Sequence, residues 1–257
     1  MITKVLFAAS IAFSTVALGG GDRLVVGAAG DSVSTGFNSE YLGNNKSLSW
    51  STGGDKRVNS HFQRYAALYP DADVKAVNAA VPLSTVNQLG RQVSKLLKFN
   101  PDYVTVAIGA NDVCSWKDDY ETELQAFSEE LYAQVTALVE SKASIKVALI
   151  PIPDLYNLWQ VAHKKPFCQL KWDLGICPAL LSRRANDESR AAFVVRTAAA
   201  NAAIAKVAAA YPDSVLFNPE VANTKFEWAQ LSPIDCFHPS IDGLNLIADK
   251  TWELEGE

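Results

Sequence analysis

A serine that follows the first apolar run of the chain has the chemistry of a nucleophile. Residues 25–34 read VVGAAGDSVS, so a predicted strand ends in small residues and then reaches Ser32. Gly30 permits a tight turn at this point. A serine just past a strand can attack an electrophile if a base reaches its hydroxyl group. An ordinary loop serine is the alternative, because Gly-Asp-Ser alone is a weak motif.

A carboxylate and an imidazole stand three residues apart near the end of the chain, in the run DCFHP at residues 235–239. Residues at this spacing can face the same way in a helical turn, so Asp235 can fix the tautomer and the orientation of His238. The second ring nitrogen of His238 is then free to accept a proton from a serine. A structural histidine that caps the last helix is the alternative.

A carboxamide follows another predicted strand, in the run GAND at residues 109–112. The side chain of Asn111 can donate a hydrogen bond to an oxygen atom that becomes negatively charged during a reaction. An Asx turn is the alternative, because Asn and Asp both favour such turns.

Alternating strands and helices must position these residues. We predict a strand from Val25, further strands at 74–77, 103–108, 145–150 and 215–217, and helices at 61–69, 85–97, 120–139, 188–210 and 242–252. This alternation predicts one parallel sheet that is covered by helices on both faces. Because the carboxyl ends of parallel strands share one edge, we expect Ser32 and Asn111 to meet there.

Two long segments lie between these elements. The polar segment 37–59 is rich in glycine and asparagine, and long loops in compact domains tend to be functional. Residues 155–181 contain two cysteines, and we expect them to form an irregular excursion over the site. Within predicted helix 120–139, apolar residues recur at three- and four-residue spacing, which predicts one buried face: Leu124, Phe127, Leu131, Val135 and Leu138.

Composition and charge narrow the class of protein. The 257 residues suffice for one domain with a proper core, and the net charge of −5 without a Lys/Arg block argues against a nucleic-acid partner. A lysine near the start precedes an almost wholly apolar run at 5–18, so we predict a signal peptide over residues 1–19 and a secreted or periplasmic protein. A buried first strand or helix is the alternative.

The remaining candidate residues are weaker. Four cysteines in an exported chain favour disulfides, whereas the lack of a C-x-x-C pair and the presence of only three histidines give little support for zinc. We interpret His61 and His163 as surface residues, because neither has a carboxylate at a useful spacing. Four tryptophans in loops could line an acyl pocket or pack against the core: Trp50, Trp116, Trp159 and Trp172.

Taken together, the runs GDS at 30–32, GAND at 109–112 and DCFHP at 235–239 resemble the GDSL, or SGNH, hydrolase family. The likeness extends from about Leu24 to the last helix. It is closest to the phospholipase B-like branch, because of LSWSTGGD at 48–55, NDVC at 111–114 and Cys236 inside the DCFHP run.

The resemblance implies that Ser32 is the nucleophile, that His238 is the general base and then the general acid, and that Asp235 orients it. The oxyanion would be held by the Ser32 N–H, by the Asn111 side chain and by a backbone N–H after the second strand. In the run NAAVPLST at 78–85, Leu83 occupies the position where the family usually has glycine. A leucine keeps the N–H, but it does not readily adopt a left-handed conformation, and its side chain is expected to narrow the site.

The resemblance also implies a fold and an activity. We expect residues 20–257 to form a three-layer α/β/α sandwich with a five-stranded parallel sheet of the flavodoxin-like kind. We expect a monomeric serine esterase without cofactor or metal, acting on acyl esters of phospholipids or lysophospholipids, with transient contact to a membrane or micelle surface. A short-chain or acetyl esterase is one alternative. A non-catalytic protein that binds lipid or carbohydrate on the same scaffold is the other.

Four cysteines allow three disulfide connectivities, which the sequence does not resolve rigorously. Cys168 and Cys177 lie in one irregular segment, where a bridge would close a short loop. If Asn111 and His238 both face Ser32, the loops that contain Cys114 and Cys236 are neighbours. We therefore predict the pairs Cys168–Cys177 and Cys114–Cys236.

Overall fold

One parallel sheet organises the protein. The computed structural model describes residues 23–117 and 119–252, so the predicted signal peptide at 1–19 lies outside the described residues. The five strands of the sheet are β1 (Arg23–Gly30), β2 (Asp73–Asn78), β3 (Tyr103–Ala107), β4 (Lys146–Ile150) and β5 (Val215–Leu216). Their order is β2-β1-β3-β4-β5 and all four pairings are parallel. This order is the flavodoxin-like one, so the predicted fold class is confirmed.

Helices cover both faces of the sheet. They are α1 (His61–Leu68), α2 (Leu89–Leu97), α3 (Ala110–Ser115), α4 (Glu121–Ser141), α5 (Leu155–Ala162), α6 (Pro166–Trp172), α7 (Pro178–Leu181), α8 (Asp187–Ala209) and α9 (Ile241–Trp252). Helices α1 and α9 pack together on one face, where the rings of His61 and Tyr65 contact Trp252. Helix α4 packs between α2 and α8 on the opposite face. The result is a sandwich of three layers.

The sequence pattern explains the two faces. Neighbouring residues of a strand point to opposite sides of a sheet, so Tyr103 reaches α1 while Val104 packs beside Gly27 and Leu96 of α2. On α4 the predicted apolar face is confirmed, because four of its five residues are fully buried: Phe127, Leu131, Val135 and Leu138.

His61 is a core residue, so its interpretation as a surface residue was wrong. Its Nδ1 lies 2.7 Å from the hydroxyl oxygen of Tyr103, and its Nε2 lies 2.9 Å from Oγ1 of Thr251. Burial lowers the pKa of His61 to about 3, so the ring is neutral at ordinary pH. The two partners are distant in sequence, and they satisfy a buried polar ring without a carboxylate.

The segment 155–181 is helical, which corrects the expectation of an irregular excursion. It contains α5, α6 and α7, joined by short turns. The Asp154 side chain caps α5 by accepting the N–H of Asn157 at 3.1 Å, and Pro166 and Pro178 begin the next two helices. Proline suits the first turn of a helix because the N–H that it lacks would have no partner there. The prolines therefore begin helices here.

The disulfides are Cys114–Cys177, with 4.8 Å between Cα atoms, and Cys168–Cys236, with 5.5 Å. The predicted pairs Cys168–Cys177 and Cys114–Cys236 were wrong. Helix α7 packs beside α3 and brings Cys177 to Cys114, whereas α6 lies beside the DCFHP turn and brings Cys168 to Cys236. The two halves of the excursion are thus fixed to two different parts of the site.

Candidate active site

The nucleophile candidate lies at the carboxyl edge of the sheet. Gly30 ends β1 with a φ of 149°, and a Cβ atom there would lie 2.3 Å from the carbonyl oxygen of Ala107. The turn that presents Ser32 therefore requires glycine. Asn111 lies in α3 just after β3, so both side chains reach the crevice between β1 and β3. In this class of sheet the strand order reverses at that crevice, where ligands bind.

Ser32, His238 and Asp235 form one hydrogen-bonded chain. Ser32 Oγ lies 2.8 Å from His238 Nε2, and His238 Nδ1 lies 2.6 Å from Asp235 Oδ2. All three residues are buried. Because the carboxylate accepts from Nδ1, the proton of a neutral ring resides there and Nε2 presents its lone pair to the serine. This geometry suits the transfer of the serine proton to His238.

The turn from Asp235 to His238 is held by the carboxylate itself. Asp235 Oδ1 accepts the N–H groups of Phe237 and His238, both at 2.9 Å, and Cys236, the residue directly after Asp235, has a φ of 58°. Asn38 Nδ2 donates to Asp235 Oδ2 at 2.6 Å. Burial opposes the ionisation of Asp235, but hydrogen bonds from His238 and Asn38 outweigh it and hold its pKa below the ordinary value. The group is therefore a carboxylate that can stabilise a protonated His238.

The role of Asn38 is not predictable from the sequence. It lies in the polar segment 37–59, for which a functional role is expected, but no pattern relates it to a carboxylate 197 residues later.

Three hydrogen-bond donors are available around Ser32. The backbone N–H groups of Ser32 and Leu83 donate to no acceptor within the described residues. Asn111 Nδ2 donates one hydrogen to the carbonyl oxygen of Ser84 at 2.9 Å. Its second hydrogen meets no acceptor among the described residues. These are the three groups that the family resemblance implies for an oxyanion site.

Leu83 adopts the left-handed conformation, with a φ of 64°. This leucine therefore adopts a backbone conformation that favours glycine, which is the residue usual at the matching position of the family that the sequence resembles. Its side chain is 82% exposed and does not line the cavity beside Ser32, so the expected narrowing of the site is absent.

Buried side chains hold the turn that contains Leu83. Both carboxylate oxygens of Asp112 accept the N–H of Val86, at 3.1 and 3.2 Å. Gln92 Nε2 donates to Ser84 Oγ and to the carbonyl oxygen of Gly30, both at 3.0 Å, and Gln92 Oε1 accepts the Gly30 N–H at 2.7 Å. Gln92 thus joins the turn to the end of β1. Asp112 belongs to the GAND run, but no sequence pattern indicates its contact with Val86. No pattern indicates the role of Gln92 either.

Two buried carboxyl groups flank the donors. Burial raises the pKa of Asp31 to about 6, although the Val33 N–H bonds it at 2.9 Å and His238 also favours its ionisation. Burial likewise raises the pKa of Asp112 to about 6 against the opposing effect of the Val86 N–H. Both groups titrate in the mildly acidic range.

A cavity of about 80 Å³ opens beside Ser32 and Asn111. Most of its lining is apolar and comes from the ends of β3 and β4, from α5 and α9, and from the loops between them: Ile108, Ile150, Ile152, Leu155, Leu158, Val221, Phe226, Phe237 and Ile247. Such a lining suits an apolar group of a substrate. Within the part of the chain that the structure describes, no group of three or more His, Cys, Asp or Glu side chains could hold a metal ion.

One of the four candidate tryptophans lines this cavity. Trp50 contributes to its wall, whereas Trp116 stacks on Tyr120 and Trp172 is fully buried in the core. Trp159 stacks on His163 with 4.2 Å between ring centroids, so His163 is half-buried against a neighbouring ring. His163 is therefore a partly exposed residue, which is compatible with its interpretation as a surface residue.

The chain matches a known family over most of its length. The model of the GDSL-like lipase/acylhydrolase family matches residues 28–245, a range that contains Ser32, Leu83, Asn111, Asp235 and His238. The chain belongs to the GDSL-like lipase/acylhydrolase family. The resemblance drawn from the three sequence runs is thus confirmed at the level of the family. A search of curated proteins finds no match to this GDSL-like chain.

Solved structures share the fold of this GDSL-like protein. A lipase/acylhydrolase from Enterococcus faecalis is 19% identical, with 91% of this chain and 96% of that chain covered and a TM-score of 0.54. A catalytic mutant of the acetylxylan esterase Axe2 from Geobacillus stearothermophilus is 17% identical, with 92% and 96% covered and a TM-score of 0.56. TesA is 16% identical, with 90% and 98% covered and a TM-score of 0.56. At these identities the comparison shows a common fold.

Proposed function

We propose that the protein hydrolyses carboxylic esters with Ser32 as the nucleophile, His238 as the general base and then the general acid, and Asp235 as the residue that orients His238. The observation that supports this most directly is the distance of 2.8 Å between Ser32 Oγ and His238 Nε2, at the mouth of an apolar cavity. Family membership agrees with it, because esterases, lipases and acylhydrolases share this family.

The reaction proceeds in two halves. Ser32 Oγ bonds to the carbonyl carbon of the ester while its proton passes to His238 Nε2. The carbonyl oxygen becomes an oxyanion, to which Ser32 N–H, Leu83 N–H and the Asn111 amide donate. The C–O bond to the alcohol then breaks, and the alcohol leaves with the proton from His238. Water then attacks the carbonyl carbon of the acyl-serine while one of its protons passes to His238 Nε2. The bond between this carbon and Ser32 Oγ breaks, His238 returns the proton to the serine, and the acid leaves.

We infer the substrate class from the lining of the cavity. Its apolar lining favours an acyl chain longer than acetyl, and phospholipids or lysophospholipids are the substrates that we propose. Trp50 lies in the run that resembles the phospholipase B-like branch and lines the cavity, which supports that assignment. The likeness to Axe2, an acetylxylan esterase, favours an acetyl esterase as the second candidate.

We also propose that the protein acts outside the cytoplasm. Two disulfides are compatible with a secreted or periplasmic protein, because such bonds persist in oxidising compartments. The apolar run at residues 5–18 supports export through a signal peptide.

Covalent labelling tests the assignment of the nucleophile. A fluorophosphonate probe should label the wild-type protein and the Ser34→Ala variant, and it should not label Ser32→Ala. Ser34 is a matched control, since it is a buried serine two residues away whose hydroxyl has no hydrogen-bond partner among the residues that the structure describes. Equal labelling of Ser32→Ala would contradict the mechanism, and an unlabelled wild type would indicate the non-catalytic binding protein.

A series of p-nitrophenyl esters separates the two substrate classes. If an acyl chain occupies the cavity, kcat/KM should rise from the acetyl to the octanoyl ester. A steep fall beyond the acetyl ester would instead identify an acetyl esterase.

A further inference from the structure

Helix α6 presents an apolar face to solvent. Phe167 is 48% exposed, Leu170 58% and Leu174, two residues past the helix, 77%. These residues recur at three- and four-residue spacing, so their side chains share one side of the segment. The other side is the buried one, where Cys168 and Trp172 are fully covered. Grouped exposed apolar side chains of this kind mark interaction surfaces.

Positive charge surrounds these side chains in a protein that is acidic overall. Residues 155–184 contain five basic residues and one acidic residue, although the whole chain has a net charge of −5. Lys165 Nζ lies 4.1 Å from the centre of the exposed Trp228 ring, and Lys171 Nζ lies 5.3 Å from that of Phe167. The acidic residue, Asp173, is paired with Arg183. The cations therefore lie among the apolar groups, and no carboxylate of this segment is left to neutralise them.

This combination matches one kind of partner. Apolar side chains with interspersed lysines are typical of segments that lie in the interface of a lipid layer, with the apolar groups among the acyl chains and the lysines at the headgroups. An anionic lipid surface satisfies both features, because each nearby lysine is attracted to the negative surface potential.

A covalent bond links this surface to the site. Cys168 of α6 is bonded to Cys236, which lies between Asp235 and His238. Docking of α6 would therefore hold the turn from Asp235 to His238, called the triad turn below, at the lipid surface, where ester substrates with long acyl chains are concentrated.

We propose that the α6 surface, defined as Lys165, Phe167, Leu170, Lys171, Leu174 and Trp228, docks on an anionic lipid surface and delivers lipid esters to Ser32. The delivery of lipid esters to Ser32 rests on the proposed function, whereas the binding of the α6 surface to lipid does not. The two can therefore fail separately.

Vesicle binding is measured with the Ser32→Ala protein, which leaves the lipids intact. Vesicles of phosphatidylcholine with phosphatidylglycerol should co-sediment the protein, and vesicles of phosphatidylcholine alone should bind it more weakly. In this background, Leu170→Ser with Leu174→Ser should lower the partition coefficient at least tenfold, as expected for two leucines that lose burial in lipid. Leu68→Ser is the matched control, because Leu68 is 61% exposed at the end of α1 and should have no effect.

The charge contribution is tested separately. Lys165→Gln and Lys171→Gln should each weaken binding to the anionic vesicles roughly fivefold and leave binding to neutral vesicles unchanged. Wild-type protein and the double leucine variant, both with Ser32 intact, should hydrolyse a soluble ester at equal rates, which also shows that the variant is folded.

Three results would overturn the proposal: no binding to the anionic vesicles, an equal loss in Leu68→Ser, or a stable dimer that the double leucine variant abolishes. The last result would identify a second copy of the chain as the occupant of the α6 surface. Absence of soluble-ester hydrolysis by the wild type would instead contradict the proposed function and leave the vesicle result to decide docking.

Discussion

The left-handed conformation of Leu83 gives a prediction about stability. A residue with a side chain at a φ of 64° costs roughly 1–2 kcal/mol, because Cβ approaches the following carbonyl oxygen. Glycine removes this cost, but it loses about 0.5–1 kcal/mol more conformational freedom on folding than alanine does. The difference favours glycine at position 83 by about 0.5–1 kcal/mol over alanine.

The Leu83 side chain contributes little itself. It is 82% exposed, so its truncation to alanine should change the free energy of unfolding by less than about 0.5 kcal/mol. We therefore expect Leu83→Gly to be more stable than Leu83→Ala, with a melting temperature higher by about 1–4 °C. Urea unfolding at pH 8 measures the difference directly.

A matched control is available at Leu42, which is 83% exposed and has no positive φ. There Leu42→Gly should be less stable than Leu42→Ala by about 0.5–1 kcal/mol, so the order of the two variants reverses between the sites. If glycine lowers stability equally at both positions, Leu83 is not strained and the reasoning fails. The kcat of Leu83→Gly should stay within about twofold of the wild type, because glycine retains the backbone N–H that we propose as an oxyanion donor.

Three other predictions address the site. Asn111→Ala should lower kcat by about two to three orders of magnitude with little change in KM, as expected for the loss of one oxyanion donor; a rise in KM alone would make Asn111 a binding residue. The folded pKa of Asp112, about 6, exceeds its ordinary value of 3.8, so its contribution to stability is complete below pH 4 and is lost as the pH rises through 6. This loss amounts to up to about 3 kcal/mol in the free energy of unfolding, and Asp112→Asn should remove it. Urea unfolding at pH 4 and pH 8 should therefore show a smaller change in the free energy of unfolding for Asp112→Asn than for the wild type. Removal of the Cys168–Cys236 bond by a double serine substitution should lower the free energy of unfolding by about 4 kcal/mol and reduce kcat, and an unchanged kcat would show that the bond does not position the triad turn.

Local sequence signals predicted most of the sheet and the placement of the main candidate residues. Apolar runs predicted the strands because a parallel strand is buried on both faces. The edge rule for parallel strands then placed Ser32 and Asn111 together, and the spacing of Asp235 and His238 placed the imidazole beside the carboxylate. Each of these inferences depends on residues close in sequence or on a property shared by all parallel sheets.

Contacts between distant segments were not predictable in this way. Asn38 meets Asp235 across 197 residues, and His61 finds its partners on β3 and α9. Neither polar residue has a sequence pattern that shows where its hydrogen bonds go, although the large majority of buried polar groups have a partner. The left-handed conformation of Leu83 also depends on contacts between distant segments. The hydrogen bonds from Asn111 to Ser84 and from Val86 to Asp112 hold the turn, and they outweigh the intrinsic preference of leucine.

The disulfides show why the path of an excursion matters more than the spacing of its cysteines. A local bridge within residues 168–177 would have left α6 and α7 free to separate from the site. The two disulfides join cysteines that are 63 and 68 residues apart in sequence. Each should stabilise the fold by about 4 kcal/mol, because it lowers the conformational entropy of the unfolded chain. One bridge joins α3, which contains Asn111, to the start of α7, and the other joins the triad turn to α6. The oxyanion side and the triad side of the crevice are therefore linked through the excursion, and the same segment presents the apolar α6 surface beside them.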